Sequence, residues 1–222
     1  INSGAGSDTI TIDAGTSART WAVNLGTDAV ADKVVFNHAS LDLGHNTVVT
    51  VASFTAANDS VAVVLNGTNI ADGTFQTVTN TQTNINAGVE VVELVNNSFV
   101  GALTDDANSG DVEDAIAAAT NGIATGNYTF VMYSNNTATA NAGIYSVNIT
   151  DNSDPGSGGM VVEHIMTLNG VGYGNLGDAN FLDNSFVAPV VLDLDGDGAE
   201  FLPLSAGVTH DYGTGLVATA WV

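Results

Sequence analysis

Cysteine is absent from the 222 residues, and basic residues nearly so: Arg19 and Lys33 stand against 24 carboxylates. Without thiols there is neither a disulfide framework nor a thiolate metal centre. With two cationic side chains there is no basic patch for nucleic acid or for an anionic bilayer, both of which require one. No apolar run approaches the ~20 residues of a membrane span. We therefore expect no nucleic-acid partner and no membrane insertion. No signal peptide is visible, and the chain opens at Ile1 in mid-pattern, as a fragment or processed product does.

What remains is acidic and apolar together. The net charge is −22, yet only 12% of residues are charged and 45% are hydrophobic. Disorder needs low hydrophobicity as well as high charge, so this chain folds. Its length suffices to bury a real core, in one large β domain or two smaller ones. Self-repulsion of the carboxylates opposes compaction unless cations bind. In a chain without disulfides, bound calcium would supply the missing cross-links.

The clearest candidate for such binding is Asp193-Leu194-Asp195-Gly196-Asp197-Gly198, which follows the apolar run Pro189 to Leu192. Three carboxylates at alternate positions around a glycine turn repel one another, and a hard divalent ion removes that conflict. Calcium suits best, because it takes six to eight oxygen ligands in flexible geometry. An ordinary acidic hairpin turn is the plainer reading. The loop is not an EF-hand: its twelfth position is Leu204 rather than a bidentate acid, and Pro203 stops any following helix. Glu200 comes too early for that role but remains a further oxygen donor if the loop closes differently. The expected arrangement is strand, calcium turn, strand, held by Asp193, Asp195 and Asp197.

At the other end, Ser3 to Thr11 matches the nonapeptide G-G-x-G-x-D-x-U-x except for serine at its first glycine. Asp8 is its ion-holding acid and Ile10 its inward apolar residue. Leu25-Gly26-Thr27-Asp28 is at most a degenerate echo, so residues 1–12 read as the tail of a repeat array. β-branched runs follow at Val34–Phe36, Thr47–Val51, Val61–Leu65 and Val89–Val95, separated by Asn, Asp and Gly clusters. One helix is expected, capped by Asp111, with Val112, Ala115, Ile116 and Ala119 on one face and a stop at Asn121-Gly122. Strands at Asn127–Tyr133, Ile144–Thr150 and Met160–Leu168 complete the pattern. In the second of these, Tyr145, Val147 and Ile149 share one face and Ser146 and Asn148 the other. The fold class is mainly β: the end of a calcium β-roll leading into sandwich-like antiparallel sheets, with one short α-helix. We divide the chain into a β-rich region, 1–103, a β module with the helix, 104–182, and a calcium-loop segment, 183–222.

The nonapeptide, the middle module and Ala188 to Gly198 together resemble bacterial RTX-type (haemolysin-type repeat) calcium-binding secreted surface proteins. In that family a P-x-x-L-D-L-D-G-D-G stretch is followed by a second acidic loop and T-x-W-V. Here the counterpart runs from Gly207 to Val222, keeps Asp211, and has lost the later aspartates at Gly213-Thr214-Gly215. The resemblance implies one-step (type I) secretion to a calcium-rich exterior, with folding triggered there by calcium. Some members cut an Asp-Pro bond before the acidic stretch; Ala188-Pro189 lacks that nucleophile, and Asp154-Pro155 lies apart from it.

Signals for an enzyme are poor. There is no G-x-S-x-G elbow and no H-E-x-x-H helix, and His38, His45, His164 and His210 are scattered. Trp21, Tyr128, Phe130, Tyr133 and Trp221 are available as a platform for a cell-surface glycan, although core packing is their default role. The sequence thus reads as a secreted, non-enzymatic structural or adhesive module of a bacterial surface layer (S-layer), adhesin or extracellular filament. Self-association through edge strands or calcium is expected. The alternative is a non-catalytic accessory region of a larger RTX enzyme or toxin.

Overall fold

A computed structural model describes residues 1–14, 19–39, 47–71, 74–95, 110–121, 123–151, 159–181, 209–211 and 216–218. The chain divides into two compact units, Ile1–Ser185 and Phe186–Val222.

The first unit begins as a parallel coil. Strands β1 (Thr9–Ala14), β3 (Lys33–His38) and β5 (Ser60–Leu65) pair side by side in parallel, with Ile10, Val34 and Val61 in register. The strands between them, β2 (Arg19–Asn24) and β4 (Thr47–Ala52), pair in parallel within a second sheet. Successive strands thus alternate between two sheets. A two-residue turn at Asn66-Gly67, both at positive φ, folds β6 (Thr68–Asn69) back on β5 and ends the four-stranded sheet. Only such a mirror-type turn matches the strand twist.

The second sheet has seven strands in the order β2-β4-β11-β10-β9-β8-β7. Its further members are β7 (Thr74–Val78), β8 (Val89–Leu94), β9 (Gly126–Tyr133), β10 (Ala142–Ile149) and β11 (Met160–Leu168). Strands β9, β10 and β11 are antiparallel neighbours, whereas β7–β8, β8–β9 and β4–β11 are parallel. The mainly-β class with one short helix is what the sequence leads to, but the sheets are mixed rather than antiparallel. Short connections normally signal hairpins; from β1 to β5, however, the strands on either side of each connection enter different sheets, so strands two apart in sequence pair in parallel.

This larger sheet is the middle layer of three. Toward the four-stranded sheet it presents Val131, Tyr133, Ile144, Ile165 and Leu168, which meet Phe36, Val34 and Val63 in the main core. Its other face presents Phe130, Met132, Tyr145 and Val147 to helix α1 (Gly110–Ala119). Val112, Ala115, Ile116 and Ala119 are all buried there, the face expected from their helical spacing. Strands from both sides of residue 103 share the sheet. In the second unit the described residues form one hairpin, β12 (Thr209–Asp211) against β13 (Leu216–Ala218).

Candidate functional site

Each coil strand of the four-stranded sheet is preceded by an aspartate, and the three stack. The Asp8 N–H donates to Asp32 Oδ1 at 2.8 Å, and the Asp32 N–H donates to Asp59 Oδ1 at 3.0 Å. The other Asp59 oxygen accepts the Thr55 N–H at 2.7 Å. Asp32 and Asp59 are buried, so these bonds compensate the cost of taking carboxylates out of water. From the far end of the unit, the Asn180 amide donates to the carbonyls of Ala56 and Asp59 and locks this corner to the residues before Phe181.

Asp28 supports the corner above. Its Oδ2 accepts the Gly6 N–H at 2.7 Å. Gly26 adopts φ +87°, and a Cβ there would meet the Gly4 carbonyl oxygen at 2.3 Å; the two turns approach too closely for any side chain. The Leu25–Asp28 turn therefore packs directly against the Gly4–Gly6 turn. Both Asp59 oxygens accept backbone N–H groups, whereas Asp8 Oδ2 is enclosed and accepts no hydrogen bond. Among the described residues, no three His, Asp or Glu side chains converge as a metal-ligating group. Asp193, Asp195, Asp197 and Glu200 lie outside the described residues. Asp211 ends β12, with Leu216 as its partner in register, and only its backbone is described.

A second polar group lies between the sheets. His38 of β3 places Nε2 3.5 Å from Ser146 Oγ of β10 and Nδ1 3.6 Å from a carboxylate oxygen of Glu163 on β11. The order Ser, His, acid is that of an activated nucleophile, but Ser146 has no exposed surface. Its hydroxyl is not presented to a substrate, and the three side chains link the layers. No short-range sequence signal joins them, because β3 and β10 are separated by 108 positions.

A third polar group centres on Glu93 of β8, which is 1% exposed. It accepts the Tyr133 hydroxyl at 2.6 Å and the Thr77 hydroxyl at 3.0 Å. Burial pushes the Glu93 carboxyl above its ordinary range, partly offset by these two bonds. Burial, and then the carboxylate beside it, push the Tyr133 phenol up as well. Tyr173 packs edge-on against Tyr133 and donates to the Val95 carbonyl.

A cleft of about 420 Å³ opens between the two sheets at one end, lined by Ala39, Leu65, Asn66, Thr68, Asn127, Asn148 and Val161. Asn127 and Asn148 are register partners on β9 and β10, and the Asn148 amide donates to Asn127 Oδ1 at 2.6 Å. Of the aromatic residues considered above, Tyr128, Phe130 and Tyr133 are core residues and Trp21 packs partly buried against the main core. His164 packs on Tyr145, with Nε2 3.0 Å from the Met166 carbonyl oxygen and 3.1 Å from the Thr167 hydroxyl. Among the described residues, no helix is long and apolar enough to cross a membrane. No family model matches the chain, and neither does any curated protein or solved structure.

Proposed function

We propose that this chain is a calcium-binding structural or adhesive module, exported to the bacterial cell surface and non-catalytic. The observation that carries the reading is the aspartate-led parallel coil. Three turns begin with the same Asp-x-apolar unit, and the first, at Gly4, Gly6 and Asp8, holds an enclosed carboxylate oxygen that accepts no hydrogen bond. Such an oxygen is a natural ligand for a hard cation. The acidic triplet Asp193, Asp195 and Asp197 is the stronger candidate, with Glu200 and Asp211 as further donors, and the charge of −22 favours uptake of cations.

The edge strands among the described residues support self-association. Strands β1 and β7 end their sheets, and neither carries the lysine that guards many exposed edges. Strand addition along such an edge is a recurrent mode of assembly.

The test is calorimetric titration of calcium into chelated protein, with circular dichroism recorded alongside. We expect binding at roughly 10⁻⁴–10⁻³ M, the range of extracellular modules, and a gain in thermal stability because the ion binds the folded form. The combined variant D193N/D195N/D197N should lose most of the heat, and D8N a smaller share. No heat and an unchanged spectrum at roughly 10 mM calcium, well above that range, would refute the proposal.

A further inference from the structure

We propose that the cleft between the two sheets binds an uncharged saccharide. The inference rests on the adhesive reading above and names its ligand class; it does not depend on calcium.

The volume, about 420 Å³, falls within the range of small-molecule sites. Its lining has one chemical character. Three carboxamides, Asn66, Asn127 and Asn148, and the Thr68 hydroxyl supply neutral donors and acceptors, while Ala39, Leu65 and Val161 supply apolar contact. Each carboxamide offers two donors and one acceptor oxygen, a set that matches the paired hydroxyls of a sugar ring. Among the described residues, the lining has no carboxylate, imidazole or ammonium group. A charged ligand finds no counter-ion among these side chains, and the anionic surface as a whole repels acidic ones. A neutral polyhydroxylated ligand with apolar C–H faces meets both halves of the lining.

Placement adds a second argument. Asn148 and Ser146 share a face of β10, and Val161 and Glu163 share a face of β11, each pair two residues apart. Leu65 is the register partner of His38, next to Ala39. The buried His38, Ser146 and Glu163 group therefore stands one pleat behind the cleft, about 7 Å along the strands. Polar groups in a sandwich interior are costly, and these adjoin the cleft. The Asn148–Asn127 hydrogen bond holds two carboxamides in fixed orientation at the mouth, which lowers the ordering cost of binding.

The experiment is a ¹H–¹⁵N correlation titration of the full chain with neutral oligosaccharides built on glucose, galactose and N-acetylglucosamine. A uronic-acid oligosaccharide serves as the charged comparison, and each series is run in calcium and in chelator. We expect at least one neutral sugar to shift the side-chain amide signals of Asn127, Asn148 and Asn66 saturably, and the uronate to leave them unmoved. The double variant N127A/N148A should weaken binding roughly tenfold, as expected for losing two neutral hydrogen-bonding groups. Asn127 is exposed and Asn148 partly so, and an unchanged backbone spectrum confirms the fold. N66G, which suits the positive φ of that turn, gives a second, milder loss. Amides unmoved by every neutral sugar, shifts that survive both variants, or shifts from the uronate alone would overturn the proposal. Shifts that persist where calcium produces no heat would leave the cleft standing and remove the calcium reading; heat without shifts would do the reverse.

Discussion

At Glu93 a single acid sits on a strand face it shares with Val91 and Val95. It occupies the inner face of β8 beside Val91, and its two oxygens are taken by Tyr133 and Thr77. Its folded carboxyl holds a proton more tightly than the ordinary value of 4.5. The stability linked to this proton is fully present below that value and is lost as pH rises through the raised folded one. Above the ordinary carboxylate range, folding must either bury this charge or take up a proton, and both cost stability. E93Q keeps an acceptor for the Tyr133 hydroxyl and removes the charge, so the variant should melt higher than the parent at pH 7–8. The difference should shrink toward zero as pH falls to about 4.5; melting curves between pH 4 and 8 decide it. A pH-independent difference would mean that burial of charge at Glu93 is not what destabilises the parent. The acid is visible in the sequence inside the Val89–Val95 run, but its partner is 40 positions away, and nothing local reveals it.

At the scale of elements, the corner aspartates act as staples between turns. Asp59 satisfies two backbone donors, those of Asp32 and Thr55, inside a buried corner. D59A should destabilise by about 1–3 kcal/mol for each donor left unpaired, measured by urea unfolding. D59N retains one acceptor oxygen and should cost roughly half as much. Equal losses in the two variants would show that charge, rather than hydrogen bonding, holds the corner. This motif was half legible. The nonapeptide ends in Asp-x-apolar, and the same unit recurs as Asp32-Lys33-Val34 and Asp59-Ser60-Val61. The spacings are 24 and 27 residues, however, unequal and far longer than nine, so no tandem nonapeptide repeat links the three units. The buried face of helix α1 was legible because four apolar residues at helical spacing mark it; its start was not, since the helix begins at Gly110 and takes in Asp111, the residue expected to cap it. Strand β2 was not: exposed Arg19, Thr20, Ala22 and Asn24 surround the buried Val23 and half-buried Trp21, and only the parallel partner β4 gives the segment its place.

For the molecule as a whole, the alternation of Ser146 and Asn148 with Tyr145 and Val147 is the clearest lesson about faces. The sequence assigned the two sets to opposite sides, as found, yet polarity alone would put Ser146 in water, whereas that side carries a second sheet. Layering is a long-range property and leaves no local trace. Charge, by contrast, is read directly from composition and makes its own prediction. Twenty-two unbalanced negative charges oppose folding most at low ionic strength, where the Debye length is ~30 Å, and far less near physiological salt, where it is ~8 Å. In chelator, the melting temperature should therefore rise as sodium chloride is raised across that range. Calcium at matched ionic strength should raise it further, and magnesium should fall short of calcium, because its small, rigid octahedral shell suits a flexible carboxylate-and-carbonyl loop poorly. If sodium, magnesium and calcium gave the same curve at equal ionic strength, the acids would be a solvated surface whose repulsion any electrolyte relieves. A calcium increment that vanishes in D193N/D195N/D197N while the sodium response persists separates the specific ion from the general field.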